Sequence, residues 1–152
     1  MVSLIQIVKG LNDIANAHLQ IRDFRFDDLN SFITSGATNY VCMLVHEPDV
    51  MVTKDRHFTL YKTRIYLFDK VLKDESNKTE VLSDLIRIAE DVIAEIKNPS
   101  WTWYVQIDQR PVIEHDYERT MDWLAATWFD VEFRLPTPDN RCQIPETSIT
   151  RF

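Results

Sequence analysis

Glycine is almost missing from this chain. There are two, Gly10 and Gly36, one inside a helical pattern and one in a loop. Phosphate cradles of the usual nucleotide-binding kinds need several close glycines, so that backbone N–H groups can approach the ligand. No such cluster exists, which disfavours those enzymes. Cysteine is as scarce. Cys42 and Cys142 stand far apart and make neither a disulfide framework nor a paired zinc motif. Free thiols are expected rather than a bridge. Long apolar runs are also missing. The longest, Tyr40 to Val45, is far too short to span a bilayer, so no membrane partner is expected. Met1-Val2-Ser3-Leu4 has no basic region leading into a long apolar run, so no signal peptide is expected either. Cytoplasmic synthesis is the default.

Cationic excess is the last thing lacking. The formal net charge is −7, and an acidic surface repels phosphate, which argues against sequence-independent nucleic-acid binding. Repulsion has its own use, because a channel that DNA slides through gains from not gripping it. What remains is ordinary in composition. At 152 residues the chain suits one domain, and folding at that length buries roughly 70% of the unfolded chain's surface. There is no internal repeat and no low-complexity tract.

Two helices stand out. Ser3 with Gln6 fits a capping box. Leu4, Ile7, Val8, Leu11, Ile14, Ala15, His18 and Leu19 then share one face. His18, at the end of that stripe, is expected to be a half-buried structural residue rather than a ligand. The second helix has Val81, Leu82, Leu85, Ile86, Ala89, Val92, Ile93 and Ile96 at helical spacing, with Asp84, Glu90, Asp91 and Glu95 off the stripe. Asn98-Pro99 closes it. Asn77 followed three residues later by Glu80 fits an N-cap with a reciprocal partner. Asp74 and Glu75 lie just before the positive end of that helix, where negative charge is favoured.

Strands fill most of the rest. Residues 20 to 39 suggest a short strand and a helical turn, then a loop around Gly36. Tyr40 to His46 is a buried strand by its β-branched and apolar content, ended by Pro48. Residues 49 to 56 look like an exposed connection or hairpin tip. His57 to Phe68 is a long strand with apolar residues on both faces, Phe58, Leu60, Tyr66 and Phe68 against Tyr61, Ile65 and Leu67. Such a strand is central and covered on both sides at one end. Trp101, Trp103, Val105 and Ile107 alternate with polar neighbours, and Val112 to Tyr117 is another extended piece. Phe129, Val131, Phe133 and Leu135 alternate with Asp130, Glu132 and Arg134, which places one face in the core and one in water. That strand is expected to begin near Leu124. The order predicts an α+β fold, an antiparallel or mixed sheet packed against two main helices. Residues 1–135 form the single domain, and 136–152, with Pro136, Pro138 and Pro145, form an extended C-terminal arm.

Catalytic constellations are weak. His18, His46, His57 and His115 are scattered. Glu114-His115-Asp116 puts neighbours on opposite faces of a strand, so the three cannot easily share a metal. Ser76 lacks the strand-to-helix nucleophile turn, and Cys42 lies in an apolar run where a thiol is inert. Asp27-Asp28 is a carboxylate pair of a kind common in loops. Asp74 to Asn77 lacks the calcium-loop pattern. No catalytic, cofactor-binding or metal residue is assigned and no cofactor is expected. Trp128 is different. If the Phe129 face is core, Trp128 lies opposite with Asp130 and Glu132, and either a helix or a neighbouring subunit must cover it.

Asp69, Asp74-Glu75-Ser76-Asn77, Glu80-Val81 and Ser83-Asp84 together resemble the strand-to-helix junction of small virion proteins of tailed bacteriophages. So do Asp116-Tyr117-Glu118-Arg119, Asp122, Leu124-Ala125-Ala126 and Trp128, with Asn140-Arg141-Cys142 and Ile144-Pro145 after them. The set is similar to neck proteins of the tail-terminator or tail-completion type from phages of Bacteroidetes, crAss-like phages included. The likeness runs over nearly the whole chain and is weakest over residues 20 to 57. None of its motifs is catalytic.

The resemblance implies a non-enzymatic structural subunit that assembles with itself into a ring of six or twelve copies. Such a ring sits in the virion neck between portal or adaptor proteins and tail proteins, and DNA passes through its lumen without specific binding. Ring symmetry needs two different patches meeting head to tail. Trp128, Asp130, Arg141 and Ile144 are the candidate contacts, with the arm after Leu135 supplying one patch unless it is simply a frayed tail. The alternative is a small cytoplasmic α+β enzyme or regulator with an unrecognised site.

Overall fold

The computed structural model describes residues 4–35, 39–52, 58–72, 76–98, 104–106, 114–118 and 124–136. In order these form α1 (Leu4–Ala17), β1 (Asp23–Asp27), α2 (Leu29–Ser35), β2 (Cys42–His46), β3 (Asp49–Val52), β4 (Phe58–Lys70), α3 (Lys78–Ile96), β5 (Tyr104–Gln106), β6 (Glu114–Glu118) and β7 (Leu124–Pro136). The fold is α+β, as expected. Ser3, Gly36, Asp74, Glu75, Trp101, Trp103, Ile107, Trp123, Cys142 and the arm from Thr137 onward lie outside the described residues.

One mixed sheet carries the molecule. β1, β2, β4, β7 and β5 lie side by side, β3 also pairs with β4, and β6 with β7. Among the described strands only β1 on β2 is parallel; the other pairs are antiparallel. The two long strands form the axis, paired from Phe58 opposite Pro136 to Lys70 opposite Leu124. Alternation sends Ile65, Leu67, Phe129, Val131, Phe133 and Leu135 to one face, where they join the main core with α1 and α3. Tyr66, Phe68, Leu124 and Ala126 go to the other face and a second, smaller core. The expectation that β4 is covered on both sides at one end therefore holds.

The helices bury their stripes as the spacing dictates, with two departures. Leu19 is 97% exposed and is not on the α1 stripe. The helix ends at Ala17, the chain turns through His18, and Ile21 enters the core instead. The turn is fixed by the Ile21 N–H donating to the His18 carbonyl. In α3 the buried residues are Val81, Leu85, Ile88, Ala89, Val92, Ile93 and Ile96. Ile88 thus belongs to the stripe, between Leu85 and Val92, while Leu82 and Ile86 sit half-buried at its margins. Each fully buried Leu, Ile or Val contributes about 1.5–3 kcal/mol, so α3 is held by its packed face rather than by helix propensity.

Residues 49 to 56 need a correction. Asp49–Val52 is a strand, exposed throughout, and only the residues after it, outside the described set, remain as a connection. β2 and β3 both pair with the same edge of β4, but not in one register. Three residues between Val45 and Asp49 answer two between Ile65 and Lys62, so one extra residue is bulged out between them. Pro48, which has no N–H to give the ladder, sits in that gap. The His46 carbonyl at the gap accepts a hydrogen bond from the Thr63 hydroxyl.

Candidate functional site

Among the described residues, two surfaces of the sheet stand out beyond the main core: the face away from α1 and α3, and the edge formed by β3. Helix α2 covers one end of that face. Asp28 starts it. The Ser31 N–H donates to Asp28 Oδ1 at 2.6 Å, the Ser31 hydroxyl to Oδ2 at 3.2 Å, and the Phe32 N–H to the Asp28 carbonyl at 3.1 Å. The two bonds from Ser31, its N–H foremost, hold the Asp28 carboxyl below its ordinary pKa. Half of the Asp27-Asp28 pair is therefore a helix cap.

The cap aims Phe32, fully buried, at the sheet. Its ring stacks on Phe68 at 4.7 Å, Phe68 lies 5.6 Å from Tyr66, and Tyr66 lies 6.0 Å from Trp128. α2 reaches Phe68 through Phe32, while Trp128, half-buried at the far end of this row of rings, packs on Tyr66.

Beyond Trp128 the same face is open and charged. Asp130 is exposed, and its carboxylate accepts from Arg64 Nε at 2.8 Å. The two residues are directly opposite across β4 and β7. That hydrogen bond, outweighing the opposing effect of burial, drives the Arg64 pKa further up. Lys62 faces Glu132 in the next matching pair. Further on, the Arg134 guanidinium sits 5.3 Å over the Phe58 ring. Opposite charges directly across a strand pair contribute roughly 0.2–1 kcal/mol each.

The edge is the reverse case. Val50 is 56% exposed and Met51 and Val52 are each 52% exposed. Val50 and Val52 share a face with Tyr61 and Thr59, and Met51 shares the opposite one with Leu60. Sequence patterning missed this strand as a site because it has only four residues and no alternation to place them.

The remaining predicted residues separate. Asn77 is the N-cap of α3 by position, but its side chain makes no cap hydrogen bond. Its Oδ1 accepts instead from the Leu72 N–H at 2.9 Å, so the reciprocal box with Glu80 is not formed. Glu80 stands exposed in the first turn, where its charge suits the helix dipole. His18 is half-buried beside Asp91, with Nε2 to Oδ2 at 3.0 Å. His46 Nδ1 is 2.9 Å from the Glu47 carbonyl. His57 lies outside the described residues, and β6 brings the His115 backbone opposite Thr127. Cys42 is fully buried, and burial, ahead of nearby Asp23, pushes its thiol up to about 12. Arg141 and Ile144 lie outside the described residues.

Among the described residues no three His, Cys, Asp or Glu side chains are grouped to hold a metal. No described helix is long and apolar enough to cross a membrane. A dent between α1 and the sheet, lined by Leu4, Ile7, Leu11, Tyr61 and neighbours, has room for only about 10 Å³, far below the roughly 300 Å³ at which small-molecule pockets start. The fold and its surfaces thus define a small α+β domain with one open charged half-face and one apolar edge. The chain matches no family model and no curated protein.

Proposed function

We propose that this chain is a structural subunit of a ring in the neck of a tailed bacteriophage, of the tail-terminator, tail-completion or head–tail connector type. Its work is assembly rather than catalysis. Copies of the chain, six or twelve, join head to tail between portal or adaptor proteins and tail proteins and seal the joint. The net charge of −7 lets DNA pass the lumen without being gripped. Support comes from the pattern that runs from Asp69 to Asp84 and from Asp116 to Pro145.

The observation that carries the reading is the β3 edge, where three large apolar side chains stand more than half exposed. A surface of that kind marks a place where another chain sits. The test is mass spectrometry of purified particles followed by symmetry-resolved imaging of the neck. The chain is expected in mature particles, in a ring at the neck. Its absence from them overturns the reading and leaves a small cytoplasmic enzyme or regulator.

A further inference from the structure

We propose that the outer edge of β3 receives residues 141–144 of a second copy of this chain as an added strand. The inference deepens the ring reading and rests on it for the head-to-tail order of copies.

The receptor side is an edge that needs covering. Among the described residues nothing pairs with the outer edge of β3. β1 runs beside β2 only as far as Asp27 opposite His46, and the bulge begins there. Proteins blunt a free edge with lysine, proline, short length or a cover. β3 is short but carries one charge, Asp49, and three exposed apolar residues.

The donor side is written in the sequence. Arg141-Cys142-Gln143-Ile144 alternates polar and apolar, matches β3 in length, and stands between Pro138 and Pro145. Proline gives no N–H to a ladder, so the two prolines bound the piece able to pair. Arg141 also brings a cation to an edge whose one charge is Asp49.

Chain length selects a second copy over the chain's own arm. β7 ends at Pro136 opposite Phe58, and Val52 lies opposite Thr59, so the arm departs at the same end of the sheet as the end of β3. To reach its own receptor edge it must pass β4 and β3 to a third strand position, about 14 Å away at the usual strand spacing. The five Cα steps from Pro136 to Arg141 span about 17 Å fully extended. Almost nothing is left for turning out of β7 and back along β3. A neighbouring copy faces no such limit. Donor and receptor are different patches, so each copy can give and receive, which is the contact that closes a ring.

The test uses the chain's own cysteines. Cys42 is fully buried with its thiol pushed up to about 12, so Cys142 is the intended partner. Val50→Cys and Met51→Cys are made separately. Both positions are exposed, and they lie on opposite faces of β3. Each purified full-length variant is concentrated, oxidised with oxidised glutathione and run on a non-reducing gel. Far-UV circular dichroism checks that each is folded. A paired strand presents Cys142 to one face only, because disulfides need Cα atoms within about 7 Å and aligned Cβ vectors. The expected result is covalent dimers and higher multimers from one of the two variants, at least tenfold above the other, and their loss on adding Cys142→Ser. Equal crosslinking of both, crosslinking of neither, or a bridge confined within one chain overturns the proposal. Chain found in particles without the crosslink sinks strand exchange and leaves the neck reading standing. Crosslinked multimers of a chain missing from particles do the opposite.

Discussion

The Asn77 side chain accepts the backbone N–H of Leu72 at 2.9 Å and so ties the end of β4 to the start of α3. The Asn77 carbonyl meanwhile takes the first intrahelical bond, from the Val81 N–H at 2.9 Å. One residue thus closes the strand-to-helix connection with its side chain and opens the helix with its backbone. Asn77→Ala keeps the second bond and loses the first. The expected loss is about 1 kcal/mol, that of one exposed hydrogen bond. Asn77→Asp retains the oxygen and adds a charge that the helix N-terminus favours, so it stays within about 0.5 kcal/mol of the parent. Urea unfolding of both variants checks this. Equal losses from Ala and Asp would mean that the amide group, not its oxygen, matters.

A second tie joins α1 to α3. The Gln20 N–H donates to His18 Nδ1 at 3.1 Å. A backbone N–H can only donate, so Nδ1 is the acceptor and Nε2 carries the proton offered to Asp91. Side-chain exposures of 16% for His18 and 55% for Asp91 set the scale. A contact half in water couples by about 0.5–1 kcal/mol. A double-mutant cycle with His18→Ala and Asp91→Ala is expected to return that coupling, and nitrogen-15 spectra at neutral pH to show the proton on Nε2. Strict additivity would mean that the two residues stabilise independently.

Two carboxylates give pH effects of opposite sign. Asp28 is depressed in the folded chain by the Ser31 N–H. Its charge therefore contributes stability above the ordinary value of 3.8 that is lost as pH falls through the lower folded value. Asp69 is raised, first by burial and then by Asp84 outweighing Arg22, although the Lys70 N–H bonds it. Its contribution is fully present below 3.8 and lost as pH rises through the folded value. Asp69→Asn should therefore stabilise at neutral pH, and the gain should vanish in acid. Asp28→Asn, which still caps, should be less stable than the parent at neutral pH, and that gap should close in acid. Urea midpoints from about pH 7 to about pH 2.5 cover both windows. Parallel pH curves for parent and variant would remove either assignment.

How much of this was legible in sequence depended on whether neighbours along the chain or across it decide the outcome. The β7 alternation from Phe129 to Leu135 named the core face because period two fixes side-chain direction locally. The two-faced β4 was legible for the same reason. α3 was bounded correctly, but the partner of Asn77 was not, because a sequence shows an oxygen near a helix start and not which N–H it meets. Asp28 was read only as half of a loop carboxylate pair, because Ser31 stands where a capping box has Glu or Gln; the burial of Phe32 behind the cap depends on Phe68, thirty-six positions away. Asp130 was placed on the outer face by alternation, yet its partner Arg64 follows only from the register of two strands 66 residues apart. β3 was least legible. Its register is set by the bulge beside Pro48, and its exposed valines have no pattern to distinguish them from core.

The cover that α2 lays over Phe68 is the most severe point to test, because so little holds it. α2 has seven residues, too few to persist alone in water, so its place depends on the Asp28 cap and on the burial of Phe32. Phe32→Ala removes the ring stacked at 4.7 Å on Phe68 and should cost about 3–5 kcal/mol. The main core lies on the other face of the sheet, so the remainder should stay folded with α2 detached. Phe68 would then meet water, and the loosening should pass along the row of rings through Tyr66 to Trp128. The expected signs are bound hydrophobic dye and a red-shifted tryptophan emission, at unchanged far-UV strand signal. Trp128→Phe in the same background should cancel the red shift, which assigns it to that residue among the four tryptophans. A loss below about 1 kcal/mol with no dye bound, where a buried aromatic deletion costs several times more, would show that α2 is not what shields this face.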